Sequence, residues 1–154
     1  MSEKLDHNGI FLLQETHSTL SCEENWKREC EGNLLFSHGT SNSTGVLIGF
    51  TKNFDVTIDQ TTSDKNGRIL ISDVTVNSVK YRLINIYNDN TEQKQINTFN
   101  SLKDHLLKHK NDDDRHPILT GDLNFIFDIQ RDALGGSPTL KNVPLLRLCP
   151  LKMN

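Results

Sequence analysis

The chain has few cysteines, few aromatic side chains and no long apolar run. Its three cysteines, Cys22, Cys30 and Cys149, are odd in number and lack metal-site spacing, so they predict free thiols in a reducing compartment. No apolar stretch approaches the length of a membrane span, and the N-terminal segment MSEKLDHNG has no signal-peptide core. We therefore expect a soluble intracellular protein without a membrane partner.

The chain also lacks an excess of charge of either sign. It carries 17 lysines and arginines against 20 aspartates and glutamates, a formal net charge of -3. Mild acidity argues weakly against nucleic acid as a partner, although a local basic or metal-filled patch can still bind a polyanion. The length of 154 residues fits one domain with a real core, and the hydrophobic share of 34% lies above the disordered range.

Short apolar segments with strand-like patterns recur along the chain. They are GIFLLQE (9–15), NLLFSHG, GVLIGF, FDVTIDQ, GRILISDVTV, KYRLINIYN and ILTGDLNFIF (118–127). GRILISDVTV and KYRLINIYN enclose "NSV", which predicts a hairpin. Helical patterns cover 23–30, with Ser21 as N-cap, and 91–109, where Asn90 and Gln93 are placed like a capping box. Many strands and few helices predict an α/β or α+β layered domain.

Several potential sites have a simpler explanation. His105 and His109 have the spacing of zinc ligands on a helix, but no third ligand is near, so we interpret them as solvated surface histidines. NDDDR lacks the glycine and distal glutamate of a calcium loop. No Ser-His-Asp signature or phosphate-binding glycine loop occurs, and Gly135-Gly136 is typical of a turn.

Polar side chains remain at the ends of three apolar segments. FLLQETH carries Glu15, RLINIYNDN carries Tyr87 and Asn90, and ILTGDLN carries Asp122 and Asn124. Each alone fits an ordinary strand end or turn. A strand interior nevertheless disfavours aspartate and asparagine, and a buried carboxylate is costly unless it is paired or bound to a metal. Three similar endings favour a single crevice, because neighbouring strands can deliver their ends to one place.

The ordered set FLLQETH, NIYNDN and GDLN resembles the exonuclease-endonuclease-phosphatase superfamily of metal-dependent phosphodiesterases. Within that superfamily the chain is most similar to the endonuclease domain of non-LTR (LINE-type) retrotransposons, which is related to apurinic/apyrimidinic endonucleases. SHGTSNSTGVLIGF, NGRILISDVTV and RDALGG support the resemblance. The match runs over 9–138, a partial domain of that superfamily, and leaves 139–154 as a divergent tail.

The resemblance implies an α/β (α+β) fold, a DNase I-like two-layer β-sandwich with flanking helices. Glu15 would hold a divalent cation, Mg²⁺ or alternatively Mn²⁺. Asp122 would orient or help to deprotonate the attacking water, and Asn124 would donate hydrogen bonds to the phosphoryl oxygens. Tyr87 would lie against the phosphate, and Asn90 would help to order the substrate site. The implied reaction is hydrolysis of a DNA phosphodiester bond, by a domain fused to a reverse transcriptase in its parent reading frame. The domain would be localised to the nucleus or the cytoplasm.

The departures from the family pattern define what we expect to be missing. The first family strand, which carries an asparagine, has no counterpart, and none of the six histidines lies in the context of the closing Ser-Asp-His. YAPN reads YNDN, which adds the Asp89 carboxylate near the expected phosphate site, and DRxGG reads DALGG. We therefore expect an incomplete fold, from a fragment or a degenerate copy.

Three functions stay open at this stage. The first is a DNA endonuclease domain. The second is a catalytically inactive relic that still binds nucleic acid or metal. The third is a superfamily member acting on RNA or on a small phosphodiester.

Overall fold

The computed structural model describes residues 8–109 and 114–124, which form two sheets with few helices. Seven strands are present in this part: β1 (Ile10–Leu13), β2 (Asn33–Ser37), β3 (Val46–Phe50), β4 (Thr57–Ser63), β5 (Ile69–Val76), β6 (Val79–Tyr87) and β7 (His116–Asp122). The helices are α1 (Glu23–Glu29), preceded by a 3₁₀ turn (Leu20–Cys22), and α2 (Glu92–Lys108). The α+β sandwich expected from the sequence is confirmed. The expected tail and the RDALGG segment lie outside the described residues.

The two sheets differ in size and connection. The first has the order β1-β3-β2 with antiparallel pairs, and the second has the order β4-β5-β6-β7. β4, β5 and β6 are antiparallel neighbours, whereas β7 runs parallel to β6 after the chain has crossed over through α2. Because β6 and β7 are parallel, both strands end at the same edge of the second sheet, where polar side chains were expected to meet.

Alternation along the strands builds two apolar layers. Between the sheets, side chains of β3, β5 and β6 pack together: Val46, Ile48, Phe50, Leu70, Val74 and Leu83. On the other face of the second sheet, Ile69, Ile71, Ile84 and Ile86 pack against Leu102 of α2. β5 and β6 are therefore covered on both faces, which explains why their sequences are almost continuously apolar instead of strictly alternating.

The predicted hairpin is confirmed between β5 and β6. Asn77 and Ser78 form its two-residue connection with φ values of 48° and 67°, so both lie in the left-handed region. Two successive positive φ values match the twist of a tight hairpin, and asparagine tolerates them better than most residues.

The helix starts differ from the sequence prediction. α2 begins at Glu92 with Thr91 as N-cap, so Asn90 does not cap it, and α1 has Cys22 as N-cap instead of Ser21. The predicted helix 91–109 otherwise matches. Cys22 and Cys30 are free thiols, as expected. None of the helices in the described ranges is long and apolar enough to cross a membrane.

The interpretation of His105 and His109 as solvated surface residues is wrong. His109 is 4% exposed; its Nε2 lies 2.9 Å from Thr62 Oγ1 and its Nδ1 lies 3.4 Å from Asp73. Both ring nitrogens of His105 are buried, and neither has a hydrogen-bond partner among the described residues. Helical spacing placed them on the polar side of α2, but the adjoining strands cover that side at the end of the helix.

Candidate active site at the strand ends

Three strands deliver polar side chains to one edge of the sandwich. The parallel register of β6 and β7 sets Tyr87 opposite Asp122. The Tyr87 hydroxyl donates a hydrogen bond to the carboxylate of Glu15, two residues beyond the end of β1. The structure therefore brings together Glu15, Tyr87 and Asp122, which the sequence analysis singled out separately.

Glu15 stands in a strained turn that the neighbouring loop holds. Glu15 and His17 have φ values of 53° and 49°, in the left-handed region that costs energy for residues other than glycine. The amides of Thr16 and His17 donate to the carbonyls of Gly45 at 3.1 Å and Thr44 at 2.9 Å. A Cβ atom on Gly45 would lie only 2.5 Å from Thr16 Oγ1, so only glycine lets the two segments approach this closely.

A polar relay continues from this turn into the first sheet. Thr16 Oγ1 donates to the buried Ser18 hydroxyl at 3.0 Å, and Ser18 Oγ lies 3.2 Å from His38 Nδ1. His38 Nε2 in turn lies 3.1 Å from the Glu23 carboxylate. A hydrogen bond from Lys27, with a further contribution from His38, lowers the pKa of Glu23. An ionised Glu23 thereby orients the His38 ring under the Glu15 turn.

Asn85 joins the two sheets directly below the site. It is fully buried, and its amide donates to the carbonyls of Leu13 at 3.0 Å and Leu47 at 2.9 Å. Its Oδ1 accepts a hydrogen bond of 2.6 Å from Gln14 Nε2. Because a buried amide is stable only when its polar atoms are paired, these bonds fix the end of β1 against β6.

The surroundings of Tyr87 raise the pKa of its hydroxyl to about 12. The hydrogen bond to Glu15 contributes most, followed by burial and the negative charge of Glu15, and Asp122 adds to the same direction. Arg68, whose guanidinium lies 5.5 Å from the ring centroid, acts in the opposite sense. Tyr87 is therefore a neutral hydrogen-bond donor at physiological pH, bonded to Glu15 and beside Asp122 on the neighbouring strand.

The Asp89 carboxylate is paired with Arg68, so it is not a free charge near the expected phosphate site. Arg68 Nη2 donates to it at 2.7 Å, and Arg68 Nη1 donates to the Tyr87 carbonyl at 3.3 Å. Burial acts to raise the pKa of Asp89, but the Thr91 amide, Arg68 and Lys94 outweigh it and lower that pKa. Asp89 remains ionised and fixes Arg68 beside the Tyr87 ring.

Asp122 and Asn124 form a tight turn at the end of β7. The Asn124 amide donates to Asp122 Oδ1 at 2.9 Å, and Asn124 has a φ of 50°. Its side-chain Nδ2 donates to the Asn88 carbonyl at 2.8 Å, and Gln95 Nε2 donates to the Asn124 carbonyl at 2.7 Å. The strand therefore ends at Asp122, and one amide hydrogen of Asn124 is already used on the main chain. Phe125 and the apolar residues after it lie outside the described residues.

Gly121 allows Asp122 to stand where it does. Its φ is 131°, and an added Cβ would lie 1.9 Å from the Ile86 carbonyl oxygen. Only glycine combines this backbone conformation with such a close approach to β6. The glycine before the aspartate in GDLN is therefore needed for the placement of the carboxylate.

The donor atoms at this edge fit a hard divalent cation better than a soft one. The Tyr87 hydroxyl is bonded to the Glu15 carboxylate there and Asp122 lies opposite Tyr87 on the next strand, and Mg²⁺ prefers oxygen ligands while keeping several waters. No group of three or more histidine, cysteine, aspartate or glutamate side chains suited to a metal occurs within 8–109 and 114–124. Asn90 is exposed in the connection between β6 and α2.

Sequence reasoning missed the residues that support the site. Asn85 was hidden within an apolar strand, and Arg68 preceded another strand without a distinguishing pattern. Gln95 lay in a helix that was read only for its apolar face. A polar residue inside a continuous apolar run, as Asn85 is, was the one available signal, because burial of an amide requires partners.

Comparison with known proteins identifies relatives of two kinds. No family model matches the chain. The chain is 33% identical over 120 residues to the Transposon TX1 uncharacterized 149 kDa protein of Xenopus laevis. That match covers 78% of this chain, which spans 9% of the length of the transposon protein.

Solved structures share the fold. Truncated TDP2 from Caenorhabditis elegans superposes with a TM-score of 0.52 at 17% identity, over 77% of this chain and 50% of that one. TDP2 from D. rerio, complexed with single strand DNA product, gives a TM-score of 0.53 at 18% identity, over 79% and 49% of the two chains. The chain is thus homologous to a segment of a LINE-type transposon protein, and it shares the DNase I-like fold of the exonuclease-endonuclease-phosphatase superfamily.

Proposed function

We propose that this chain is a metal-dependent DNA endonuclease domain of a LINE-type retrotransposon, which hydrolyses a phosphodiester bond. The observation that carries the proposal is the convergence of Glu15, Tyr87 and Asp122 at one edge, from strands of both sheets. Glu15 is bonded to the Tyr87 hydroxyl and Asp122 lies beside Tyr87 on the next strand, so exposed carboxylates from both sheets stand at one edge. Carboxylate oxygens are the ligands that a hard divalent cation prefers.

Each side chain has a role in this reaction. Asp122 orients the attacking water and accepts its proton, because its carboxylate is exposed at the end of β7. Tyr87 stays protonated and donates to a phosphoryl oxygen, and the second amide hydrogen of Asn124 is directed to another. Asn90 helps to order the substrate beside them. Fixed donors of this kind stabilise the charge that develops on the phosphate.

Glu15 is the residue that would hold the cation. A Mg²⁺ (or Mn²⁺) ion held there would polarise the phosphate and stabilise the leaving oxygen. The bonds of the Thr16 and His17 amides to the loop before β3 support this role, because they hold Glu15 in its left-handed turn.

The relatives support DNA as the substrate. The transposon relative is a large protein, which is consistent with a domain fused to a reverse transcriptase in one reading frame. The D. rerio TDP2 structure contains a single strand DNA product. Both likenesses favour DNA over RNA or a small phosphodiester.

An inactive nucleic-acid-binding relic is the second candidate. One observation favours it: in the described part of the chain, no histidine side chain is hydrogen-bonded to Glu15, Tyr87 or Asp122. A water nucleophile without an imidazole partner is activated less effectively.

Nicking of supercoiled plasmid DNA tests the proposal. The chain is incubated with Mg²⁺ and with EDTA, alongside Glu15→Ala and Asp122→Ala variants. We expect metal-dependent nicking that falls by about 10²- to 10⁴-fold in each variant. Asp55→Ala is the matched control, because Asp55 is an exposed carboxylate before β4, away from the site.

Two outcomes would contradict the endonuclease proposal. Nicking that persists in both site variants would show that another site or a contaminant acts. No nicking by the folded wild-type chain, combined with retained DNA binding, would establish the inactive relic instead.

A further inference from the structure

A polar groove of about 450 Å³ lies beside the candidate site. Its walls come from four places: the loop before β3, the turn between β4 and β5, Asp89 in the connection between β6 and α2, and α2 itself. Arg68 lines the groove and also covers the Tyr87 ring at 5.5 Å from its centroid. The groove therefore opens next to the position expected for the scissile phosphate.

Glycine contacts give the groove a fixed floor. The Gly45 amide donates to the Gly67 carbonyl at 2.9 Å, which ties the loop to the turn. A Cβ on Gly67 would lie 2.7 Å from Gly39 Cα, and Gly67 has a φ of 68°. Because these backbones touch without side chains between them, the two walls are held together as one unit.

The two acidic residues of the groove are bonded to groups of its own wall. The Asp64 carboxylate accepts hydrogen bonds from the amides of Asn66 at 3.2 Å, Arg68 at 2.8 Å and Ile69 at 2.9 Å. Asp89 pairs with Arg68. Arg68 therefore balances the charge of Asp89, whereas the Asp64 carboxylate keeps its charge and is held in the wall by neutral amide donors.

Two lysines supply the remaining charge. Lys94 has a side chain that is 68% exposed and lies 3.8 Å from Asp89, a long and solvated contact. Lys65 is exposed and forms no ion pair among the described residues. The lining therefore carries three cationic side chains against two carboxylates, a small local excess of positive charge on a chain whose net charge is -3.

The uncharged lining consists of hydroxyl and amide groups. Thr40, Ser43, Asn66, Asn97 and Ser101 line it, and none of the described lining residues is aromatic. Bases bound without sequence preference stack on aromatic rings, whereas phosphates and sugars take hydrogen bonds from hydroxyls, amides and lysines. The chemistry fits a sugar-phosphate backbone and does not provide a stacking platform for bases.

We infer that this groove binds the DNA backbone next to the scissile phosphate, with Lys65 and Lys94 each contacting a phosphate. The inference rests on the proposed function for the identity of the polymer. It adds a sequence-independent contact that sets affinity and salt dependence and leaves the chemical step to Glu15, Tyr87 and Asp122.

Binding measured without turnover tests the groove. Fluorescence anisotropy follows a labelled DNA duplex of arbitrary sequence binding to the full chain in EDTA, over a series of salt concentrations. We expect Lys65→Ala and Lys94→Ala each to make the slope of log K against log salt shallower by about 1. Each variant should also lower the affinity for duplexes of different sequence by the same factor. Lys65→Arg and Lys94→Arg should keep the wild-type slope, because the charge remains.

Lys52→Ala is the matched control. Lys52 is an exposed lysine beyond the opposite end of β3, where it pairs with Glu31 at 2.9 Å, and its loss should leave the slope unchanged. The groove is refuted if both alanine variants keep the wild-type slope, if Lys52→Ala changes it as much, or if the wild-type chain does not bind DNA.

Plasmid nicking separates this inference from the proposed function. Lysine-dependent DNA binding without nicking would support DNA binding by the groove and contradict the proposed endonuclease activity. Nicking that depends on Glu15 and Asp122, with slopes that do not depend on the two lysines, would retain the endonuclease and reject the groove.

Discussion

The Tyr87 hydroxyl donates a hydrogen bond to the Glu15 carboxylate, although the two residues are 72 positions apart in the sequence. The bond connects the segment after β1, in the first sheet, with the end of β6, in the second. It forms because Asn85, two residues before Tyr87, anchors the end of β1 through Leu13 and Gln14. The pKa of the Tyr87 hydroxyl consequently depends on whether Glu15 is held against it.

Removal of Glu15 should make the Tyr87 hydroxyl more acidic. The pKa of Tyr87 is raised to about 12, mainly by the hydrogen bond to Glu15, so Glu15→Gln should shift it toward 10, its ordinary value. The folded state holds this proton more tightly than the unfolded state, so the associated stability is present below about pH 10 and is lost as the pH rises through about 12. Ultraviolet absorbance of the phenolate measures the shift.

The chain has two tyrosines, so a Tyr81→Phe background isolates the signal of Tyr87. In that background, Asp55→Ala should leave the titration midpoint unchanged. An unchanged midpoint in Glu15→Gln would mean that the bond to Glu15 does not control the Tyr87 hydroxyl.

Gly121→Ala should destabilise the protein strongly. A Cβ at this position would lie 1.9 Å from the Ile86 carbonyl oxygen, at a φ of 131° that alanine disfavours. We expect the free energy of unfolding to fall by about 3 kcal/mol or more, as urea denaturation would measure. The paired control is Gly9→Ala, because Gly9 has open space around its added Cβ, and its effect should stay within about 0.5 kcal/mol. Similar small effects for both variants would rule out the close approach of β7 to β6.

Asn85→Ala should also cost stability, for a different reason. The substitution leaves the buried carbonyl of Leu47 without its donor and removes the bond from Gln14. We expect a loss of about 2–4 kcal/mol in the free energy of unfolding. Asn85→Asp keeps the size but removes the donors, so it should be at least as destabilising at neutral pH.

Asn100→Ala provides the comparison for Asn85, since Asn100 is an exposed residue of α2. Its effect on the free energy of unfolding should stay within about 0.5 kcal/mol. If Asn85→Ala behaved like Asn100→Ala in urea denaturation, the two sheets would not depend on this amide.

Acidification should weaken the fold partly through His105. Burial is the main cause that lowers the pKa of His105, and Lys108 adds to it. The unfolded chain therefore takes up the proton first as the pH falls below about 6.5, so the stability associated with neutral His105 is lost on acidification. His105→Leu should flatten the pH dependence of the free energy of unfolding between about pH 7.5 and 5.5.

His17→Asn is the control for this titration. His17 is exposed, and asparagine tolerates its φ of 49°. The slope of the free energy of unfolding against pH should match the wild type in His17→Asn and decrease in His105→Leu. A decrease of the same size in both would refute the role of burial at His105.

Local patterns were sufficient for much of the fold. The two long apolar segments around Asn77 and Ser78 predicted the hairpin, because strand patterning and turn chemistry act over neighbouring residues. The spacing of apolar residues predicted α2 within one residue at each end of Glu92–Lys108. The N-caps were missed, since several polar residues near each helix start can cap and packing selects among them.

The site was predictable in part. Glu15, Tyr87 and Asp122 were singled out from motifs at strand ends, and the structure brings these three together. Their roles in binding a metal or a substrate remain predictions. Pairing of Asp89 with Arg68 was not foreseen, because a salt bridge between a turn and a strand end depends on the register of β5 against β6.

The order of apolar and polar residues was enough to specify strands, the hairpin and the amphipathic helix, since these depend on contacts within short segments. The tertiary structure decided which polar groups became buried: Asn85 between the sheets, His105 and His109 at the end of α2. It also decided that Glu15 meets Tyr87. The physical reason is that sequence periodicity identifies an apolar face but does not identify the chain segment that covers it. Hydrogen bonding of a buried polar group depends on that covering segment.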